Sequence, residues 1–92
     1  MDNAYYEDLA GRLYGLVIRL AGRLAADEAR WLHHVTEAGE YGLALEDMAG
    51  ILAHDKTAIT DQERGDMLAL AARMKLEGGR VPGALENCPR AG

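Results

Sequence analysis

Two adjacent histidines, His33 and His34, come closest to the pattern of a metal site. Glu37 follows His33 by one helical turn, so these two side chains could share a metal ion. His34 has Ala38 at the equivalent position, and a zinc site needs three or four ligands with a supporting shell. The sequence therefore predicts no metal site and no cofactor, and it places both histidines on the flank of a helix.

Catalytic chemistry finds equally little support. The chain contains no serine, and the remaining candidate nucleophiles lack an evident base and orienting group; they are Thr36, Thr57, Thr60 and Cys88. Carboxylates can transfer protons, but here they fall on short polar segments where a solvated surface is expected. No glycine-rich loop opens a helix as phosphate binding requires. We expect no enzymatic activity.

Charge is distributed very unevenly along the chain. The acidic segment, residues 37–66, contains eight acidic and two basic side chains, so it carries −6 while the whole chain carries −5. Such a potential attracts basic partners and repels nucleic acid and anionic lipid. A modest basic strip could form from Arg12, Arg19, Arg23 and Arg30. With a pI near 5.0, binding to nucleic acid is nevertheless not expected. Pattern alone leaves open whether the acidic segment is a solubilising surface or a docking face.

Size and composition indicate a single small helical domain in the cytoplasm. The chain has 92 residues and no phenylalanine, and leucine and alanine supply most of its apolar side chains. Cys88 has no second cysteine to pair with, which is typical of a reducing compartment. The acidic residues 1–3 lack the basic start of a signal peptide. Arg19 and Arg23 interrupt the apolar stretch 13–26, so no membrane span is expected.

Apolar side chains at steps of three and four predict four amphipathic helices. We place them at residues 4–25, from Asp27 to a stop at Gly39, at 41–54, and from a capping box at Thr60–Glu63 to Gly78-Gly79. Residues 78–92 hold four glycines and both prolines without an apolar pattern. We therefore expect a helical domain of residues 1–77 and a flexible or loosely docked tail. The predicted fold is all-α, a compact bundle of about four helices.

Trp31, the single tryptophan, lies beside the apolar face of the second predicted helix. Val35 follows it four residues later, which favours a position in the core or at its edge. A partially exposed anchor at a binding interface is the sharper alternative, because tryptophan is enriched among binding hot spots.

Several short pieces between Trp31 and Leu76 occur in a characteristic order. They are Trp31-Leu32, Gly39-Glu40-Tyr41, Leu43-Ala44-Leu45-Glu46, Ile59-Thr60 and the stretch from Leu70 to Met74. They describe a helix that ends in a Gly-Glu pair, then an Ala-Leu-Glu helix, and then a last helix with an aliphatic-Thr start and an aliphatic end. This order resembles that of the MafI family of bacterial immunity proteins. The resemblance covers about half the chain strongly and extends weakly through the first helix.

This resemblance implies a cytosolic antitoxin that binds the C-terminal domain of a cognate bacterial toxin. Many such toxins are nucleases, whose basic clefts an acidic helical surface could cover. We expect partner contacts from Glu37, Glu40, Tyr41, Glu46, Asp47 and Asp55. Glu40 and Tyr41 also have a structural interpretation, as the cap and anchor of the third helix. A monomer is favoured. The alternative is a small helical adaptor or regulator unrelated to toxins, in one version a homodimer through an exposed part of the first helix's apolar stripe.

Overall fold

The chain forms five α-helices in the computed structural model, which describes residues 3–92. The helices are α1 (Asn3–Leu20), α2 (Ala26–Glu37), α3 (Tyr41–His54), α4 (Asp61–Arg73) and α5 (Arg80–Glu86). Within the described range there is no β-strand, and one isolated parallel bridge joins Ile59 and Arg90. The predicted all-α class is confirmed, but the structure has five helices where we predicted about four.

Two compact units divide the chain, the first ending at Ala44 and the second being Leu45–Gly92. In the first unit, α1 and α2 pack together. The predicted stripe of α1 is buried at Leu9, Leu13, Leu16, Val17 and Leu20. Burying a side chain of this size stabilises the fold by roughly 1.5–3 kcal/mol. No helix within residues 3–92 is both long and apolar enough to cross a bilayer.

The α-helical part of the first element is shorter than predicted. It ends at Leu20, and a short 3-10 helix, Ala21–Arg23, takes the place of the expected last turn. Gly22 lies in this turn, and glycine has the lowest helix propensity after proline. At the other end of α1, Tyr6 is 46% exposed.

Gly39 ends α2 as predicted. Its φ is +83°, and its N–H donates to the Thr36 carbonyl at 3.0 Å. The N–H of Glu40 donates to the Val35 carbonyl at 3.1 Å. These two bonds form a Schellman motif, which satisfies carbonyls that the helix itself leaves unpaired. Glu40 is thereby held at the turn between α2 and α3.

Lysines occupy the equivalent left-handed positions after α3 and α4, with φ of 51° at Lys56 and 60° at Lys75. The next residue in each case donates back to the helix, Thr57 to the Leu52 carbonyl and Leu76 to the Ala71 carbonyl. The predicted end of the fourth helix at Gly78-Gly79 is therefore wrong. The Schellman bonds end α4 earlier, at Lys75, although positive φ is unfavourable for a residue other than glycine.

The start of α4 agrees with the predicted capping box. The Glu63 N–H donates to the Thr60 hydroxyl at 3.0 Å, and the Thr60 N–H donates to Glu63 Oε1 at 2.9 Å. Glu63 is only 4% exposed, so this member of the acidic segment is a structural group.

Residues 78–92 do not form the flexible or loosely docked tail that we predicted. They contain α5, and Val81, Leu85 and Cys88 are buried in the second unit. Val81 and Leu85 are four residues apart and share one face of α5, and Cys88 follows just beyond its end. Pro82 does not interrupt α5, because it lies in the first turn, where backbone N–H groups have no helical partner.

Arg64 and the chain near Ile59 hold this C-terminal segment. The Arg64 guanidinium donates to the carbonyls of Leu85 and Cys88, the latter at 3.0 Å. Ile59 N–H donates to the Pro89 carbonyl at 2.9 Å and its own carbonyl accepts from Ala91 at 2.7 Å. These bonds pair backbone groups of the C-terminal segment with Ile59 and Arg64, and the three buried side chains anchor the segment.

Replacing Gly39 with alanine is expected to lower the free energy of unfolding by about 1 kcal/mol, because alanine is strained at positive φ. Gly11→Ala is the matched control. Gly11 lies inside α1 with nothing within 4 Å of an added Cβ, so this change should raise stability by up to about 1 kcal/mol. Urea unfolding followed by circular dichroism measures both. Shifts of the same sign would contradict the assigned turn.

Arg64→Met keeps the side-chain stem and removes both charged hydrogen bonds. We expect it to lower the free energy of unfolding by about 2 kcal/mol and to accelerate amide exchange in α5. Arg90→Met is the control, since its ion pair with Asp61 at 2.6 Å is exposed and worth at most about 1 kcal/mol. Equal losses in the two variants would show that Arg64 does not hold the segment.

Candidate functional site

Three of the predicted contact residues lie where α2 turns into α3, in the first unit. Glu37 ends α2 and Glu40 belongs to the Schellman turn, and both are exposed. Tyr41 begins α3 and is half-buried, with its ring stacked on that of Tyr6 at a centroid distance of 6.2 Å. Glu37 and Glu40 are therefore available to a partner, whereas Tyr41 serves at least in part as an anchor.

The other three predicted residues belong to the second unit and differ in exposure. Glu46 and Asp47 are half-buried on α3, and Asp55 is exposed just beyond its end. Glu46 Oε2 lies 3.7 Å from the position that a Cβ on Gly79 would occupy, so this carboxylate faces the segment leading into α5. Asp55 is the most accessible of the three.

Two more carboxylates of the acidic segment have structural partners. Asp61 accepts a hydrogen bond from the Arg90 guanidinium at 2.6 Å, and Glu63 closes the capping box of α4. Neither would contribute its full charge to an approaching protein. The charge of −6 counted along the sequence therefore overstates the charge that the acidic segment exposes. The most exposed carboxylates among the six predicted contacts are Glu37 and Glu40 in the first unit and Asp55 in the second.

The histidine pair forms a surface contact in the first unit. His33 Nδ1 lies 3.5 Å from Glu37 Oε2, with both side chains more than half exposed, and the His33 ring is 5.0 Å from that of Tyr14. An exposed pair of this kind contributes little to stability. Among residues 3–92, no three His, Cys, Asp or Glu side chains are grouped so that they could hold a metal ion.

Trp31 is 48% exposed, so it does not lie in the core, and its position agrees with the edge of the apolar face. Its ring lies 6.1 Å from that of His34 at an interplanar angle of 37°. His34 also lines an open depression with Glu37 and Ala38. The helical spacing put Trp31 at the margin of the apolar face, and a side chain of this size at a margin extends into solvent. The alternative of an exposed anchor agrees with this geometry.

Cys88 is 4% exposed, and its Sγ lies 3.8 Å from the Ala84 carbonyl oxygen. Burial raises the pKa of this thiol, and the nearby Arg64 charge opposes the rise in part. A buried thiol with a raised pKa holds little thiolate near neutral pH, so it packs as a small apolar side chain.

Comparisons with known proteins identify no relative of this chain. No protein-family model matches the chain, and no curated protein or solved structure matches it. The function is therefore inferred from the exposed carboxylates, from the exposed Trp31 side chain and from the order of the short sequence pieces between Trp31 and Leu76.

The Cys88 thiol should make stability depend on pH. Because its folded-state pKa is raised, the unfolded chain loses this proton at a lower pH than the folded chain does, and stability falls as pH rises above about 8.5, the ordinary thiol value. Cys88→Ala should remove this contribution. Urea unfolding of both proteins from neutral to alkaline pH isolates it, since other titrating groups are common to the two. A stability difference that is constant with pH would contradict the assignment.

Proposed function

We propose that this chain is an immunity protein of the kind its sequence resembles. It binds the C-terminal domain of a cognate bacterial toxin in the cytoplasm and neutralises it by stoichiometric occlusion, without making or breaking bonds. By the same resemblance, the toxin domain is expected to be a basic protein and a nuclease.

The observation that carries this proposal is the concentration of negative charge in residues 37–66 of a chain whose other long segments are weakly basic. Glu37, Glu40 and Asp55 hold part of this charge in exposed positions. An exposed negative field speeds the encounter with a cationic protein and disfavours wrong partners. The Schellman motif fixes the backbone that carries Glu37 and Glu40, so this backbone would lose little freedom on binding.

Neutralisation can be tested with the toxin domain expected from the upstream neighbouring reading frame. Cells that express the C-terminal domain of that product should stop growing, and co-expression of this chain should restore growth. The purified pair should form a stable complex in size-exclusion chromatography. Growth arrest that this chain does not relieve, together with the absence of a complex, would refute the proposal.

Reversing both Glu37 and Glu40 to lysine should slow association with the toxin domain by about tenfold at low salt and flatten its dependence on ionic strength. Glu77→Lys with Glu86→Lys is the matched control, because these exposed carboxylates lie outside the acidic segment and the change in net charge is the same. Stopped-flow kinetics at several salt concentrations gives both quantities. Equal slowing in the two variants would mean that only net charge matters.

The second candidate, a homodimeric adaptor, is favoured by Ile18. This side chain is 74% exposed on α1, away from the buried stripe. Gly11, Gly15 and Gly22 leave open space near it, because an added Cβ at any of them would meet nothing within 4 Å. A second copy of α1 could approach this face closely.

Sedimentation equilibrium without toxin tests this candidate. A concentration-dependent dimer that Ile18→Glu abolishes and Leu68→Glu leaves intact would favour the adaptor. Leu68 is a suitable control because it is an exposed apolar residue on another helix. A monomer at every accessible concentration would contradict it.

A further inference from the structure

Trp31 exposes an unusually large part of a side chain that gains most from burial. Its exposed fraction is 48%, while neighbouring Leu32 on the same helix is fully buried. Tryptophan supplies more contact area than any other residue and is enriched among the few side chains that dominate binding energy. Exposure of this residue on a folded helix is therefore a sign of a contact surface.

The surroundings of Trp31 form a small site with a recess. His34 lies one helical turn after Trp31, and the two rings are tilted by 37° at 6.1 Å. The adjoining depression, lined by His34, Glu37 and Ala38, has a volume of about 280 Å³. Pockets for drug-sized ligands measure roughly 300–1,000 Å³. This open depression can accommodate one side chain lying against it and is too small for a large cofactor.

Charge around this recess favours a cation. Glu37 lines the depression and Glu40 follows in the turn after α2, whereas Asp27 and Glu28 lie at the other end of the helix and Arg30 lies one turn before His34. Glu28 is committed to the Ala25 N–H at 2.8 Å, and His33 lies within 3.5 Å of Glu37. The recess is also at the C-terminal end of α2, where the helix dipole is negative.

We propose that this surface, Trp31 with His34, Glu37 and Ala38, is the docking site for an arginine side chain of the cationic partner. The guanidinium stacks on the aromatic pair and its charge faces the Glu37 carboxylate. Arginine suits the site better than lysine, because its planar, weakly hydrated group stacks on rings and donates several hydrogen bonds at once. This assignment rests on the proposed function, since it names the residue type that the toxin domain presents.

A direct test uses Trp31 as the reporter, since it is the only tryptophan in the chain. The emission of the full-length protein is titrated with acetylated, amidated hexa-arginine and with the corresponding hexa-lysine. We expect saturation at a concentration about two- to fivefold lower for hexa-arginine. Glu37→Gln should weaken this response several-fold, while Glu86→Gln, an equal charge change at an exposed position on α5, should leave it unchanged. Equal affinity for both peptides, or equal effects of the two substitutions, would overturn the assignment.

A second measurement separates this proposal from the proposed function. In complex with the toxin domain, Trp31→Leu should accelerate dissociation by at least about tenfold, and Leu68→Ala, which shortens an exposed side chain of the other unit, should not. Dissociation unchanged by Trp31→Leu, with neutralisation intact, would overturn the arginine site and leave immunity standing. Failure of the unaltered protein to neutralise the toxin, with the peptide selectivity intact, would overturn immunity and leave the site standing.

Discussion

The contact of the Arg64 guanidinium with the carbonyls of Leu85 and Cys88 is the interaction on which the second unit depends. A helix of seven residues is too short to persist alone in water, so α5 exists only because it is docked. Burial of its apolar side chains supplies the attraction. Arg64 supplies a donor for the Cys88 carbonyl and adds a charged donor to the Leu85 carbonyl, which also accepts from the Cys88 N–H. A charged side chain in the acidic segment is thereby used to complete the core.

The carboxylates of the acidic segment include groups with a structural partner and groups that face water. Those that the fold uses have fixed partners: Glu63 closes a helix start and Asp61 meets Arg90. Those at the turn after α2 and beyond the end of α3 remain in water. A charge counted along the sequence treats these groups alike, although only the second kind keeps its full field for a partner. The surface available for recognition is therefore smaller than the sequence implied.

Features governed by local chemistry could be predicted, and features governed by distant contacts could not. The Thr60 cap and the Gly39 turn follow from side chains within four residues, and the apolar period located α3 correctly. The prediction for the C-terminal segment was wrong because glycine and proline interrupt its apolar spacing. Hydrogen bonds from Arg64, more than 20 residues away, stabilise this segment. The lysines at positive φ carry no sequence signal, because only the bonds of the turn impose that conformation.

The site was harder to predict than the fold for a related reason. Trp31 lies at the margin of the apolar face of α2, and periodicity does not reveal how much of a side chain at such a margin is covered. In the proposed complex the exposed tryptophan and the exposed carboxylates would have different physical roles. Charge acts over a distance comparable to the Debye length and governs how often a cationic partner arrives. A stacked aromatic contact acts only on touching and governs how long the partner stays. An acidic surface alone would bind many basic proteins weakly, and an aromatic recess alone would find its partner slowly. In the proposed complex Glu37 would act in both ways, because it is an exposed charge and also lines the depression next to His34.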